Sequence, residues 1–360
     1  MAKIYCSPCA EGPGAWTHAY ELLKQLHAGS ALGLHQWVDS PEAADIIFLC
    51  NPQQQDGDVA ATQPLRLKYP NKCFLLSEQW TPEPRYAGIY SNAPRKALWR
   101  GRFRSASYAL HHPDFKNPYV QRFEPSQALP PAKREVLFSF AGRAGHPVRE
   151  KLFQLSFHRP DVVVQETSEF DAFCHGDSDK DAAQRQYYEL CLRSKFILCP
   201  RGAGPNSIRL FEALQLGIAP VIIADDWIPC EGPAWKRFAL FVPEKHLDRI
   251  EEIVISHEKE FLERGRDARR AYEAFFAPQS YFNYLVSSAR SIQRNRILSE
   301  RMILRLEPVL NFYDRIWRKV FRAVDGRMTS TSLSRHPFLR HAQNSTAFIL
   351  AQYAIFSDLL

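Results

Sequence analysis

Short runs of consecutive apolar residues alternate with amphipathic stretches through the first two thirds of the chain. Lys3–Cys6, Asp45–Cys50 (DIIFLC) and Cys73–Ser77 (CFLLS) read as strands, and a Gly/Pro loop over Ser7–Gly14 leads to a helical pattern from about Ala15 to His27. A run with no polar alternation belongs to a strand covered on both faces, the usual state of a parallel sheet. Between Glu124 and Lys133 the pattern stops at Pro125, Pro130 and Pro131, the best domain boundary in the chain. It then resumes. Val136–Ala141, Val162–Val164, Phe196–Cys199 and Pro220–Ile223 read as strands, and Pro147–Gln154, Ala182–Arg193 and Ile208–Leu216 as helices. Such alternation predicts two doubly wound α/β halves joined by a linker. From Leu247 the pattern is continuously helical and basic, interrupted before Gly326 only by Pro278 and Pro308. No repeat with a period of about 20–50 residues is present. The division expected is 1–130, 131–285 and a basic helical extension over 286–360.

Composition narrows the class. With 45% apolar and 24% charged residues the chain is of ordinary globular type. No apolar stretch approaches the roughly 20 residues of a membrane span, and no signal-peptide core follows the first residues. The localisation expected is cytoplasmic, either free or peripheral to the inner membrane. The net charge of +7, from 46 basic and 39 acidic residues, suits an anionic partner. Eight cysteines are too sparse for a disulfide-dependent fold; Cys50, Cys191 and Cys199 sit in apolar surroundings, as small hydrophobes.

The stretch richest in chemistry is Lys195–Asp226, KFILCPRGAGPNSIRLFEALQLGIAPVIIADD. A buried strand delivers Arg201 and a Gly-Ala-Gly turn to the start of a helix carrying Arg209 and Glu212. Glycines let backbone N–H groups approach a ligand, and a helix amino terminus offers unpaired donors with partial positive charge. An arginine beside the turn adds forked donors matched to phosphate. Glu212 has the chemistry to accept hydrogen bonds from two neighbouring ribose hydroxyls. The plainer alternative is a strand–turn–helix connection in which Gly202 and Gly204 serve only the turn.

This segment resembles the signature of the exostosin family, glycosyltransferase family 47, in its Cys-Pro-Arg-Gly turn, Ser-x-Arg-x-x-Glu-Ala helix start and Pro-Val-Ile-Ile strand ending in aspartate. Phe138–Arg149 (FSFAGRAGHPVR) is similar to the family's strand, glycine turn and following arginine. Ser40–Leu49, Leu75–Asn92, Trp235–Val254 and Ala268–Phe275 resemble further family segments, so the likeness covers about 40–280. The resemblance implies an α/β protein of GT-B type, two facing Rossmann-like domains, with the acceptor on the first and the nucleotide sugar on the second. It implies inverting transfer of a sugar from a nucleoside diphosphate donor, usually UDP, to a glycan or lipid-linked glycan. A bacterial enzyme without membrane anchor or second catalytic domain is expected.

Departure of a nucleoside diphosphate develops negative charge that fixed donors or a metal must offset. The candidates are Arg143, Arg149 and Arg201, with the N–H groups of Gly142 and Gly202 and the helix start at Ser207. Arg209 either joins them or salt-bridges Glu212. Asp225 either holds sugar hydroxyls or caps a helix. Inverting transfer also needs a base for the acceptor's proton; Glu78, Glu11 and His18 stand at loop positions that face the cleft in this architecture. No metal and no other cofactor is expected: Asp56-Gly-Asp58, Asp177-Ser-Asp179 and Asp179-Lys-Asp181 imitate a metal-holding Asp-x-Asp but follow no apolar strand. Cys6-Ser-Pro-Cys9 has the spacing of a redox pair without the surrounding plan, and Cys174-His175 reads as a surface loop. Arginines over 290–340 interleave with apolar residues, at helical spacing in Ile303–Val324. Such a helix lies on an anionic membrane surface or packs across both domains or against a second subunit. No base-reading motif supports nucleic-acid binding. The competing class is an inactive nucleotide-sugar or glycan-binding protein of the same fold.

Overall fold

The computed structural model describes residues 1–7, 17–50, 64–77, 86–95, 100–110, 116–167 and 178–306. Met1–Leu304 form one compact unit; residues 305–360 form a second, of which only Arg305 and Leu306 are described. The amphipathic segment 303–324 therefore falls almost wholly outside the described residues.

The first half is a six-stranded, all-parallel sheet of β1 (Ala2–Ser7), β2 (His35–Trp37), β3 (Ile46–Cys50), β4 (Cys73–Ser77), β5 (Gly88–Tyr90) and β6 (Phe103–Ser105), in the order β2-β1-β3-β4-β5-β6. Every residue of β3 and β4 is buried, as their unbroken apolar runs require. Helix α1 (Thr17–Ala28) packs its Leu23 and Leu26 into the core. After α2 (Pro118–Gln121) come two short 3₁₀ turns at Pro125–Gln127 and Pro131–Lys133, where the proline-rich boundary was expected.

The second half contains β7 (Val136–Gly142), α3 (Pro147–Gln154), β8 (Val162–Glu166), α4 (Ser178–Arg193), β9 (Ser194–Pro200), α5 (Ile208–Leu216), β10 (Ala219–Ile223), α6 (Trp235–Phe238) and β11 (Leu240–Phe241). Its five strands are all parallel, in the order β11-β10-β9-β7-β8. Two doubly wound parallel sheets in succession are the expected α/β plan of GT-B type. Helices α7 (Ile250–Ser256), α8 (Phe261–Ala271) and α9 (Pro278–Arg294) follow. Pro278 opens α9 at its first turn, where a missing N–H costs nothing. That helix runs back to the first sheet: Tyr284 Oη donates to Ser105 O at 2.5 Å and Tyr281 Oη to Ser107 O at 3.3 Å. Among the described residues no helix is long and apolar enough to cross a membrane.

The halves are stitched together after β5. Pro94 bridges Trp227 in antiparallel fashion, Ile228 N–H donates to Ala93 O at 3.2 Å, and Asn206 Nδ2 donates to Ser91 O at 2.8 Å.

Candidate functional site

In a doubly wound sheet, ligands bind beyond the carboxyl ends of the strands where strand order reverses. In the second half that switch lies between β7 and β9. The turn after β7 carries Gly142, Arg143 and, on α3, Arg149; the turn after β9 carries Arg201, Gly202 and Ser207, then Arg209 and Glu212 on α5. Topology thus brings together two segments about 60 residues apart, the two that carry the most specific part of the family resemblance.

The arginines are not equivalent. Arg149 Nε donates to Arg201 O at 3.0 Å, Nη2 to Pro200 O at 3.2 Å and Nη1 to Arg143 O at 3.4 Å, so it ties both turns together. Arg209 Nη2 donates to Ala141 O at 2.6 Å. Its guanidinium lies 4.7 Å from the Phe140 ring centre and 5.7 Å from that of Tyr187, and Arg149 stands over the same Phe140 ring at 5.6 Å. Burial, and then the adjacent charge of Arg209, push Arg149 down to about 9, still cationic at neutral pH. Among the described residues no carboxylate lies in salt-bridge range of Arg149, Arg201 or Arg209. The glycines explain themselves here. A Cβ on Gly142 would sit 2.8 Å from Arg209 Nη2, and one on Gly202 would sit 3.0 Å from Arg149 Nη2. They admit the arginines as well as any ligand.

Several buried polar atoms in this region have no hydrogen-bond partner among the described residues: Arg201 Nε, Arg209 Nε, Ser207 Oγ and Ser91 Oγ. Buried polar groups in native proteins are almost always satisfied, so such a cluster calls for a missing partner. Ser207 is the N-cap of α5, yet its hydroxyl makes no capping bond, which leaves the helix start open to an acceptor.

Glu212 does not salt-bridge Arg209. Its Oε2 accepts from Tyr187 Oη at 2.7 Å, and burial raises its carboxyl above the usual 4.5. A carboxylate raised in the fold contributes stability that is complete below its unfolded value and is lost as pH rises through the folded one. Glu212→Gln keeps an acceptor for Tyr187 and removes the charge. Its melting temperature relative to wild type should therefore climb between pH 5 and pH 8; a difference flat across that range would contradict the buried-charge account.

Asp225, exposed at the end of β10, exchanges backbone bonds with a residue the sequence reading did not single out. Its carboxylate accepts from Glu244 N–H at 3.2 and 3.3 Å, and its own N–H donates to Glu244 Oε1 at 3.0 Å. Burial raises the Glu244 carboxyl, while Arg201 pulls it back. No local signal marks Glu244, since only the β10–β11 pairing brings it beside the motif. The first half also reaches the turn. A Cβ on Gly204 would fall 2.3 Å from Asn92 Oδ1, which accepts from Tyr108 Oη at 2.8 Å.

Of the candidate bases, Glu11 and Glu78 lie outside the described residues, and so does the side chain of His18 in the first turn of α1. Asp56, Asp58, Asp177, Cys9, Cys174 and His175 lie outside them too, as does the side chain of Asp179. Asp181 accepts from Tyr119 Oη at 2.9 Å. The six described cysteines, Cys6, Cys50, Cys73, Cys191, Cys199 and Cys230, are all buried.

Residues 84–256, a little under half of the chain, match the family model of the Exostosin GT47 domain. It is 31% identical over 160 residues to an Exostosin-1 homolog of Caenorhabditis elegans, covering 40% of this chain and 41% of the relative. Exostosin-1 of Drosophila melanogaster is 33% identical over 139 residues, covering 35% and 18%. Probable beta-1,4-xylosyltransferase IRX10 of Arabidopsis thaliana is 40% identical over 80 residues, covering 22% and 19%. The chain thus spans less than half the length of each of these relatives. Among solved structures, WaaG, a glycosyltransferase involved in lipopolysaccharide biosynthesis, aligns with 81% of this chain and 99% of its own at TM-score 0.32 and 12% identity.

Proposed function

We propose that this protein is an inverting glycosyltransferase that moves a sugar from a nucleoside diphosphate donor, UDP being the nucleotide expected, to a glycan acceptor. The observation that carries the reading is the switch-point cluster of Arg149, Arg201 and Arg209, with unpartnered donors and no carboxylate in salt-bridge range among the described residues. A diphosphate matches its charge and its vacant hydrogen bonds. In this reading Arg149 builds the turns, while Arg201, Arg209, Ser207 and the start of α5 hold the diphosphate. Glu212 takes the ribose hydroxyls. The acceptor hydroxyl attacks the anomeric carbon from the face opposite the leaving group, its proton passes to a carboxylate base, and the bond to the diphosphate oxygen breaks. The arginines then balance the charge that appears on that oxygen.

Arg201→Ala should weaken UDP binding by about 1.5–3 kcal/mol, the loss of charge-assisted hydrogen bonds. Its melting temperature should hardly move, because Arg201 Nε has no hydrogen-bond partner among the described residues. Arg149→Ala, which releases three carbonyls, should lose both affinity and stability. Calorimetric titration with UDP decides it: an unchanged dissociation constant in folded Arg201→Ala removes the turn from the site.

Charge balance by arginines and backbone donors also makes the expected transfer independent of divalent metal. Turnover of a UDP-sugar should survive EDTA. Loss on chelation with recovery in manganese would assign that work to an acidic pair instead. Transfer or hydrolysis of the donor, as against binding alone, separates the enzyme from an inactive binding protein.

A further inference from the structure

Tyr187 has no place in the motif that led to the site, yet it touches both polar side chains that α5 presents there. It projects from α4, one helix away. Its hydroxyl donates to Glu212 Oε2 at 2.7 Å, and its ring lies 5.7 Å from the Arg209 guanidinium, on which the Phe140 ring also stacks at 4.7 Å. Arg209 Nη2 is fixed on Ala141 O while Nε has no partner among the described residues. One tyrosine therefore sets the orientation of a carboxylate and backs a cation whose Nε has no partner among the described residues.

We propose that Tyr187 is a positioning residue of the donor site: its hydroxyl fixes Glu212 to accept the two ribose hydroxyls of a nucleoside diphosphate, and its ring holds Arg209 for the phosphates. The proposal rests on the reading of Glu212 and Arg209 as donor-binding residues. The charged and titratable groups acting on Glu212 are Tyr187 and Cys191 from α4, Cys199 from β9 and Arg209 from its own helix. The three neutral ones are held neutral by burial. Burial opposes the ionised carboxylate, whereas the Tyr187 hydrogen bond and Arg209 favour it. Tyr187→Phe deletes one hydrogen bond to the carboxylate and keeps the ring beneath Arg209. Glu212 then ionises only at higher pH, and a protonated carboxyl cannot accept from two hydroxyls in the same geometry.

The experiment titrates UDP and 2′-deoxy-UDP into wild type, Tyr187→Phe, Glu212→Gln and the double variant from pH 6 to pH 8.5. Tyr187→Phe should bind UDP about tenfold more weakly than wild type at pH 6, the value of one hydrogen bond to a charged group. The deficit should shrink as pH rises and Glu212 regains its charge. Wild type should prefer UDP to the deoxy nucleotide, Glu212→Gln should lose that preference at every pH, and the double variant should bind no worse than Glu212→Gln. A Tyr187→Phe protein that follows wild type throughout overturns the proposal while Glu212→Gln still weakens binding. So does a loss equal at every pH and equal for the two nucleotides, which is mere structural damage. If Glu212→Gln changes nothing, or wild type binds no UDP, the reading of the site falls and takes the proposal with it.

Discussion

Glu300→Ala should lower the unfolding free energy by about 3–5 kcal/mol, the usual cost of leaving a buried charge without its partner. Arg102 Nε and Nη2 donate to the two carboxylate oxygens at 3.1 and 2.6 Å, with the side chains only 9% and 2% exposed. Arg296 approaches the same carboxylate at 3.6 Å, and its Nε and one Nη are buried without a hydrogen-bond partner among the described residues. Burial and the neighbouring Arg102 push Arg296 down, while Glu300 holds it up. Removing the carboxylate leaves two guanidiniums facing each other beside Phe74 and Cys73. The exposed pairs, such as Arg185–Glu189 and Arg249–Glu252, belong to a class whose loss is worth under about 1 kcal/mol. Chemical denaturation of Glu300→Ala beside Arg249→Ala separates the two regimes. Equal small effects would show that the Arg102–Glu300 pair does not form. The result also bears on architecture, since this pair anchors residue 300 against the start of β6.

Glu78→Gln should slow transfer by about 10²–10⁴-fold while UDP affinity stays near wild type, the signature of a lost general base. We propose Glu78 for that role because of what adjoins it in the chain. Ser77 ends β4, pairs in register with Tyr90, and accepts from Ser91 N–H at 3.1 Å. Ser91 in turn takes the Asn206 amide, and Asn92 presses on Gly204. The carboxyl end of β4 therefore abuts the seam between the first half and the donor turn. Steady-state turnover and calorimetric affinity of Glu78→Gln, Glu11→Gln and His18→Asn decide among the three candidates. The base is the residue whose variant loses kcat alone. A variant that loses affinity and stability along with rate marks a loop anchor.

Much of the fold was legible because the strands of a parallel sheet are buried on both faces. Unbroken apolar runs over 46–50, 73–77, 196–199 and 220–223 announce themselves without a partner strand in view. The helices Pro147–Gln154 and Ile208–Leu216 were bounded by their own residues: a proline opens the first, and Gly217 closes the second with φ 66°. Strands β2, β5, β6 and β11 were not expected. Each is two or three residues long, too short for any period to register. Only the neighbouring strand's free hydrogen bonds make them strands.

The sequence by itself determined the class of the protein and the segments that matter, because the turns after β7 and β9 are contiguous motifs with glycine, arginine and proline at fixed spacing. It left open what each arginine does. Whether Arg209 meets Glu212 or something else is a question of distance between side chains, and the chain separations involved, from Tyr187 to Glu212 and from Asp225 to Glu244, carry no local signal. The tertiary structure decided those partners. It tied Arg149 to the turns, left Nε of Arg201 and of Arg209 without a partner among the described residues, and turned Glu212 toward Tyr187. The physical reason is that packing, not periodicity, sets which polar group loses water and which neighbour replaces it.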